Sequence, residues 1–306
     1  MQVFVTRNLP GGALDRLRAE HEVEVWPERL PPPREELMAR MPEVEGLLPL
    51  LTDRIDAELI AEAPRLRAIS NYAVGVDNID LDAATARGVA VGNTPGVLTD
   101  STADLAVALM LGIGRHLTAG DAFVRRGEWK TWEPDLLLGH DLHGATVGVI
   151  GFGRIGQAVA RRLEGFECEL LHTSRSGGVP LEELLERSDF VTVHTPLTPE
   201  THGLIDAAAL ARMKPTAYLV NTARGPVVET GALIDALQAG QIAGAALDVT
   251  DPEPLPADHP LVDAPNLIVL PHLGSATHAT RERMADMAVD NLLAGLRGEP
   301  MPNQVT

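Results

Sequence analysis

The sequence predicts an α/β protein with two open, doubly wound parallel-sheet domains. Along the 306 residues, short apolar segments rich in β-branched residues alternate with amphipathic helical segments. This alternation is typical of parallel β-α units, in which helices cover both faces of an open sheet. The length allows two cores, and the Asn-Thr-Pro-Gly segment at residues 93–96 interrupts the alternation. We therefore predict a first domain of residues 1–95 with 277–306 and a second domain of residues 96–276.

The composition and charge exclude several classes of partner. The formal net charge is -18, which argues against nucleic acid and anionic membrane surfaces as partners. No apolar stretch is long enough to span a membrane, and residues 1–6 have the pattern of a strand rather than of a signal peptide. Cys168 is the only cysteine, so no internal disulfide can form, which fits a reducing cytoplasm. We expect a cytoplasmic protein that acts on a small molecule, and no metal site is predicted.

In the first domain, predicted strands and helices follow one another in order. Short apolar runs predict strands over residues 3–6, 22–26, 46–51, 66–71 and 89–91. Helical spacing of apolar residues predicts helices over residues 13–20, 35–40 and 55–63. Ligands of such sheets bind beyond the carboxyl ends of the strands. The loops at residues 50–53 and 72–78 are therefore candidate ligand loops.

The loop from Tyr72 to Asn78 allows two interpretations. It contains Gly75, and its backbone could present N–H groups to an anion. The alternative is a tight β-α turn that Asp77 or Asn78 caps. The loop by itself favours the turn.

The second domain opens with a long helix, which Thr99, Asp100 and Ser101 can cap. A polar connection that contains Trp129 and Trp132 is predicted over residues 120–144. Apolar runs then predict strands over residues 146–150, 169–172, 190–194, 217–221, 244–249 and 267–270. Helices are predicted after Gly156, over residues 181–187 and 231–239, and from Ala276 to Gly295.

The first strand of the second domain leads into a glycine-rich loop, Gly151-Phe152-Gly153-Arg154-Ile155-Gly156. A strand before this G-x-G-x-x-G pattern and a helix after it indicate dinucleotide binding. The first glycine allows the tight turn, the second lets a pyrophosphate approach the backbone, and the third lets the helix pack close to the strand. The start of the helix offers unpaired N–H groups to the phosphates. The alternative is a purely structural turn.

The next strand ends in Thr173-Ser174-Arg175-Ser176-Gly177. In NAD sites, an Asp or Glu near this strand end accepts hydrogen bonds from the ribose hydroxyls. A hydroxyl group and a guanidinium stand here instead, which favours the 2′-phosphate of NADP. The alternative is that Arg175 is an ordinary exposed charge and that both cofactors are used.

Three later strands end in loops that carry Arg224, Glu253 and His272. Because parallel strands end at one edge of a sheet, we expect these side chains near the glycine loop. A histidine can exchange a proton while a nicotinamide cofactor exchanges hydride. A carboxylate can orient the imidazole, and an arginine can bind the substrate carboxylate. Each residue alone has an ordinary alternative: a solvated acid, an ion-pair partner or a structural histidine.

Together, these segments resemble the D-2-hydroxyacid dehydrogenases over essentially the whole chain. The matching segments are residues 72–77, 151–156, 220–225 (Val-Asn-Thr-Ala-Arg-Gly), 246–249 with 251–254, and 270–275 (Leu-Pro-His-Leu-Gly-Ser). Within that family, segments 131–134, 274–278 and 291–302 resemble the glyoxylate/hydroxypyruvate reductases.

The resemblance implies a flavodoxin-like substrate domain and a Rossmann cofactor domain with an active-site cleft between them. It implies that His272 is the proton donor, Glu253 its partner, and Arg224 the anchor of the substrate carboxylate and carbonyl. It also implies that the backbone at Val74 and Gly75 binds the carboxylate, so that this loop is expected to be an anion site rather than a tight turn. The implied cofactor contacts are Gly151, Gly153, Arg154, Ile155, Gly156, Ser174, Arg175, Thr195, Thr222, Asp248 and Gly274, and the further implied substrate contacts are Leu51 and Ser275.

Members of the family are typically homodimers, built around the arm that contains Trp132. The resemblance implies that Trp132 of the partner subunit reaches the substrate site. The alternative is that Trp132 only packs in the dimer interface. The sequence by itself does not separate the two.

The resemblance implies reduction of glyoxylate to glycolate and of hydroxypyruvate to D-glycerate, and Ser174 and Arg175 predict that NADP(H) is preferred and NAD(H) possible. Two alternatives stay open. One is another dehydrogenase of the family, acting on phosphoglycerate, phosphite or a bulkier hydroxy acid. The other is a non-catalytic, nucleotide-sensing binding protein on the same fold.

Overall fold

The chain folds into two units, each with its own sheet. The structure is a computed structural model that describes residues 1–306. The first unit contains Met1–Leu98 and Ala276–Thr306, and the second contains Thr99–Ser275. Each unit is built on a predominantly parallel sheet with helices on both faces. The predicted fold class, with two parallel-sheet α/β domains, is confirmed.

Twelve strands and eleven α-helices make up the two units. The strands are β1 Gln2–Val5, β2 Glu22–Val25, β3 Gly46–Leu48, β4 Ala68–Ser70, β5 Ala90–Gly92, β6 Thr146–Ile150, β7 Glu169–Ser174, β8 Gly177–Gly178, β9 Phe190–Val193, β10 Tyr218–Asn221, β11 Gly244–Leu247 and β12 Leu267–Val269. The helices are α1 Ala13–Glu20, α2 Arg34–Arg40, α3 Ala57–Ala61, α4 Leu81–Ala86, α5 Thr99–Gly114, α6 Leu117–Arg125, α7 Arg154–Leu163, α8 Leu181–Arg187, α9 Ala207–Arg212, α10 Thr230–Gln238 and α11 His278–Arg297.

The first unit has a five-stranded parallel sheet in the order β2-β1-β3-β4-β5. Alternate side chains of β1 enter different cores, as the two-residue period of a strand requires. Val3 and Val5 pack with α1 and α11 on one face, and Phe4 packs with α2 and α3 on the other. The sheet is therefore buried on both faces, which explains why its strands read as continuous apolar runs.

Helix α11 returns the chain to the first unit. Its buried face includes Met284, Leu292 and Leu296, which pack in the same core as α1. The residues after α11 continue along the edge of the sheet, where Gln304 forms an antiparallel bridge with Gly92. The last residues of the chain are therefore part of this fold.

The second unit has a seven-stranded sheet in the order β12-β11-β10-β9-β6-β7-β8. The strands from β12 to β7 are parallel, and the last residues of five of them lie in one register. This row consists of Val269, Leu247, Asn221, Val193 and Ile150. The loops that follow these residues leave the sheet at the same edge, which is where the candidate catalytic and cofactor residues lie.

Several elements differ from the sequence prediction. Helices α4, α6 and α9 were not predicted, and β8 is antiparallel to β7 although only parallel strands were expected. The strand predicted over residues 46–51 ends at Leu48, because the carboxylate of Asp53 accepts a hydrogen bond from the N–H of Leu50 (2.7 Å) and forms a turn there. No helix combines the length and the hydropathy that a membrane span requires.

Candidate functional site

The glycine loop of the second unit turns β6 directly into α7. Gly151 has φ +91°, a left-handed conformation that favours glycine. A Cβ on Gly156 would lie 2.2 Å from the carbonyl oxygen of Gly151, so only glycine allows the helix to approach the strand so closely. A Cβ on Gly153, by contrast, would meet no protein atom within 4 Å. Packing within the protein therefore does not require glycine at position 153, and a ligand close to the backbone there would explain it.

Arg154 and Ile155 form the first turn of α7 after Gly153, the N-cap residue. Arg154 is exposed and Ile155 is partly buried. The first N–H groups of the helix have no partners within the helix and therefore suit a pyrophosphate.

The end of β7 carries the residues expected to select the cofactor. The hydroxyl of Ser174 donates to the carbonyl of Gly177 (3.1 Å) and lies 3.0 Å from the hydroxyl of Ser176. Arg175 is exposed, and no acidic residue occupies this strand end. The local hydrogen bonds of Ser174 hold the turn between β7 and β8, so Arg175 projects from an ordered hairpin.

The loop after β9 lies against the glycine loop. A Cβ on Gly151 would be 2.7 Å from the backbone nitrogen of Thr195. His194 lies beside Thr195, and its ring nitrogens are 2.9 Å from the hydroxyl of Thr192 and 3.3 Å from that of Thr222. The structure thus brings the predicted cofactor residues Thr195 and Thr222 to the same strand ends as Gly151.

His194 itself was not singled out from the sequence. The residue is partly accessible as a whole, but its imidazole is enclosed by protein, and this burial lowers the pKa to about 3. The ring is therefore neutral at physiological pH. It can link the hydroxyl of Thr192 to that of Thr222 without adding a charge near the glycine loop.

His272 and Glu253 are in direct contact. The Nδ1 atom of His272 lies 2.7 Å from Oε1 of Glu253, and both side chains are partly buried. A carboxylate at Nδ1 fixes the orientation of the ring and leaves Nε2 as the atom that can exchange a proton with a ligand. This pair has the geometry of a histidine acid-base catalyst with its orienting carboxylate.

The backbone of His272 has φ 56°, which is unusual for a non-glycine residue and costs about 1–2 kcal/mol. Asp248 holds the loop in this conformation. Its carbonyl accepts from the N–H of His272 (2.9 Å), and its carboxylate accepts from the N–H groups of Leu273 (2.6 Å) and Gly274 (2.8 Å). Burial raises the pKa of Asp248, and these two backbone donors act in the opposite direction. Since both carboxylate oxygens accept hydrogen bonds from the loop, Asp248 directly supports the loop that carries His272.

Arg224 follows β10 and begins a short 3-10 turn, and Ser275 is buried at the end of the His272 loop. The side-chain amide of Asn221 donates to the carbonyl of Arg224 (2.9 Å). A Cβ on Gly225 would be 2.0 Å from the carbonyl oxygen of Thr250, so the loops after β10 and β11 are tightly packed. Arg224 and Glu253 are therefore carried by adjacent loops at one edge of the sheet.

In the first unit, the candidate loop from Tyr72 to Asn78 follows β4, and Leu51 lies in the neighbouring turn after β3. The structure contradicts the idea that Asp77 or Asn78 caps the following helix. Asp80 caps α4, and its carboxylate accepts from the N–H of Ala83 (2.9 Å). The loop is thus longer than a tight β-α turn, because three further residues separate Asp77 from the first residue of the helix.

Trp132 lies in the segment of residues 117–138, which exposes six large apolar side chains. The exposed fraction of Trp132 is 77%, and α6, which precedes it, has no buried residue. The other exposed large apolar residues of this segment are Leu117, Val124, Trp129, Leu137 and Leu138. Within its own unit, Trp132 is therefore not part of a packed site.

Known proteins resemble this chain over its full length. The sequence model described as "D-isomer specific 2-hydroxyacid dehydrogenase, NAD binding domain" matches residues 107–274. The glyoxylate reductase of Thermococcus gammatolerans is 50% identical over 319 residues, which cover 99% of this chain and 95% of that protein. The glyoxylate reductase of Pyrococcus furiosus is 49% identical with the same coverage of 99% and 95%.

Two solved structures are similar as well. A crystal structure from Thermus thermophilus has a TM-score of 0.96, is 52% identical and covers 100% of both chains. The NADPH-dependent glyoxylate/hydroxypyruvate reductase of Sinorhizobium meliloti, in complex with NADP and malonate, has a TM-score of 0.88 and is 34% identical. That match covers 100% of this chain and 96% of the other.

The burial of His194 predicts a pH dependence of stability. The unfolded chain binds a proton at the ordinary pKa of 6.5, but the folded chain binds it only near pH 3. Between these values the unfolded state holds more protons, so stability falls as the pH drops, by up to about 1.4 kcal/mol per pH unit. We expect the melting temperature of the wild type to fall more between pH 7.5 and pH 5 than that of His194→Asn.

The exposed residue His143 supplies the matched control. His143→Asn should lose as much stability between the two pH values as the wild type does. An equal loss in the wild type and in His194→Asn would show that His194 does not have the lowered pKa.

Proposed function

Because this chain belongs to the D-isomer specific 2-hydroxyacid dehydrogenase family, we propose that it is an NADPH-preferring reductase of glyoxylate and hydroxypyruvate. The products would be glycolate and D-glycerate. The observation that carries the proposal is the 2.7 Å contact between His272 and Glu253, at the sheet edge that also carries the glycine loop. The names of the similar proteins support the choice of substrate.

The residues around the glycine loop fit a nicotinamide dinucleotide. When bound, the reduced cofactor supplies a hydride to the carbonyl carbon of the 2-oxo acid. The open space at Gly153 and the first turn of α7 suit the pyrophosphate. We assign further cofactor contacts to the strand-end residues Thr195, Thr222, Asp248 and Gly274. In this assignment the dinucleotide binds to the second unit, within the residues that match the NAD binding domain.

The protein itself supplies the proton for the carbonyl oxygen. Glu253 keeps Nδ1 of His272 in a hydrogen bond, so we assign proton donation to Nε2 of protonated His272. In the reverse direction, the same nitrogen would accept the proton of the 2-hydroxy acid. The hydrogen bonds from Asp248 to the loop hold the imidazole in place through the backbone.

The substrate carboxylate needs positive groups, because the chain as a whole carries a formal net charge of -18. We assign its binding to the guanidinium of Arg224 and to the backbone N–H groups at Val74 and Gly75. Arginine forms strong, paired hydrogen bonds with carboxylates. Leu51 and Ser275 are assigned as further substrate contacts.

The preference for NADPH is proposed from the end of β7. Arg175 can bind a 2′-phosphate, and no carboxylate is present to accept hydrogen bonds from the ribose hydroxyls of NAD. The NADPH dependence of the Sinorhizobium meliloti reductase supports this assignment.

The exposed segment from Leu117 to Leu138 is proposed to bind a second copy of this chain. Six of the twelve exposed large apolar residues of the protein lie there, and an apolar surface of this kind is typical of an interface. In the dimer, Trp132 of the partner subunit would lie at the substrate site.

The first test of the proposal is a substrate panel with a catalytic variant. Initial rates with glyoxylate, hydroxypyruvate, pyruvate and phosphohydroxypyruvate, each with NADPH and NADH, should be highest for the first two acids with NADPH. His272→Ala should lower kcat by about 10²–10⁴-fold, because it removes the proton donor.

His143→Ala is the control for this variant, since His143 is exposed and is assigned to neither the substrate nor the cofactor. It should retain the wild-type kcat. Near-normal turnover by His272→Ala would contradict the assigned role, and a wild type that binds NADPH but reduces none of the four acids would favour a nucleotide-sensing protein.

The cofactor preference is tested at Arg175. Arg175→Ala should raise the Michaelis constant for NADPH much more than that for NADH, because only NADPH carries the 2′-phosphate. The exposed Arg161 on α7 gives a control of equal charge, and Arg161→Ala should change neither constant. Equal increases for both cofactors in Arg175→Ala would disprove the assignment.

The oligomeric state is tested by sedimentation velocity. The wild type should sediment with the mass of two chains. Leu138→Asp should sediment as a single chain, because it places a charge in the proposed apolar interface. Val262→Asp, at an exposed apolar residue outside the segment, should remain dimeric. A monomeric wild type would refute the proposal.

A further inference from the structure

We infer that Asn93 and Asn71 are positioning residues that aim the backbone N–H groups of Gly75 and Val76, respectively, at the substrate carboxylate. The inference rests on the proposed function, in which this loop binds the carboxylate. It adds two side chains that do not touch the substrate but fix the loop that does. All of the contacts that carry it lie within the first unit.

The four carbonyls of residues 73–76 are all occupied as hydrogen-bond acceptors. The carbonyl of Ala73 accepts from the N–H of Thr94 (2.8 Å), and that of Val76 accepts from the N–H of Ile79 (2.9 Å). The two between them accept from side chains: Asn93 Nδ2 donates to Val74 (2.7 Å) and Asn71 Nδ2 donates to Gly75 (2.8 Å). Every carbonyl in this stretch is thus held in a fixed direction.

In contrast to these carbonyls, the N–H groups of Val74, Gly75 and Val76 have no hydrogen-bond acceptor in the protein. A peptide unit is planar, so fixing the carbonyl of one residue also fixes the N–H of the next, on the opposite side of the chain. Asn93 therefore sets the direction of the Gly75 N–H, and Asn71 sets that of the Val76 N–H. Successive N–H groups without internal partners form an anion site.

Asn71 also connects this loop to the turn that contains Leu51. Its Nδ2 lies 2.9 Å from Oδ1 of Asn78, and Nδ2 of Asn78 donates to the carbonyls of Leu50 (3.0 Å) and Asp53 (3.1 Å). Asn71 is fully buried, so these amide groups must find partners in the protein. The two loops assigned to the substrate are held together by this network.

Asn93 is held from the opposite direction by the C-terminal part of the chain. Its N–H donates to the carbonyl of Asn303 (3.1 Å), and its carbonyl accepts from Nδ2 of Asn291 in α11 (2.8 Å). Asn291 is fully buried and also accepts from the N–H of Asn303 (3.0 Å). The backbone of Asn93 is therefore immobilised on both sides, which leaves its side chain little freedom to release Val74.

These contacts determine how the kinetic constants should respond. The substrate carboxylate is bound both before and during hydride transfer. Weaker binding of the carboxylate by the loop therefore raises KM while kcat changes little. Loss of one hydrogen bond that orients the loop should raise KM for glyoxylate by about 10-fold. The Michaelis constant for NADPH should stay at the wild-type value, because the dinucleotide site is assigned to the second unit.

The experiment combines kinetics with hydrogen exchange of the peptide that covers residues 71–79. We expect Asn71→Ala and Asn93→Ala to raise KM for glyoxylate about 10-fold with kcat within about three-fold of the wild type. Exchange in this peptide should be slowed by NADPH with oxamate, an unreactive 2-oxo acid analogue, and this protection should be weaker in both variants. A general loss of structure would alter the NADPH constant and the melting temperature as well.

Gln2→Ala is the matched control, because Gln2 makes an exposed amide hydrogen bond to Glu22 (2.6 Å) at the opposite edge of the same sheet. It should leave KM and the protection unchanged. If buried Asn71→Ala does not fold, the partly buried Asn93→Ala carries the test alone.

The two possible failures are distinguishable. Wild-type KM and wild-type protection in a folded Asn93→Ala would overturn the positioning role and leave the proposed function intact. Absence of oxamate protection in the wild type, with no 2-oxo acid reduced, would instead overturn the proposed function and the inference together.

Discussion

The hydrogen bonds between Asp248 and the loop of residues 272–274 are the interaction on which the proposed chemistry depends. Without them, His272 would not be held in a left-handed backbone conformation, and the direction of its imidazole towards Glu253 would change. The carboxylate can accept two backbone N–H groups because β11 and β12 end in register, so that Asp248 is level with the start of the loop. The position of Asp248 at the end of a regular strand thereby fixes the conformation of an irregular loop.

Loops beyond strand ends contain backbone N–H and C=O groups that the sheet does not pair, and these groups need hydrogen-bond partners. The side chains of the two units provide partners for opposite kinds of backbone group. In the second unit, the carboxylate of Asp248 binds N–H groups and fixes a side chain. In the first unit, the amides of Asn71 and Asn93 donate to carbonyls, and the N–H groups that we propose to bind the substrate carboxylate have no acceptor in the protein. A protein with a formal net charge of -18 can in this way offer a favourable site to an anion by means of peptide dipoles, without a cluster of lysines.

The fold class and the dinucleotide loop could be predicted from the sequence, because apolar periodicity and the glycine spacing are local signals. It missed α6, which has no buried residue and exposes Leu117 and Val124, and β8, which consists of two glycines. The roles of His272, Glu253 and Arg224 stay predictions, although the structure shows the contact between the first two. Asn71, Asn93 and His194 could not be found from the sequence, because their importance lies in hydrogen bonds to residues that only the folded chain brings close.

The return of α11 to the first unit has a consequence for biosynthesis. The core around β1 includes Met284, Leu292 and Leu296, which are translated after the whole second unit. A nascent polypeptide on the ribosome can thus complete the Thr99–Ser275 unit first, while residues 1–98 still expose the face of their sheet that α11 later covers. The loop of residues 72–78 is held by Asn93, whose own hydrogen bonds form only when Asn291 and Asn303 have emerged, so the geometry of this loop is completed after the second unit has been made.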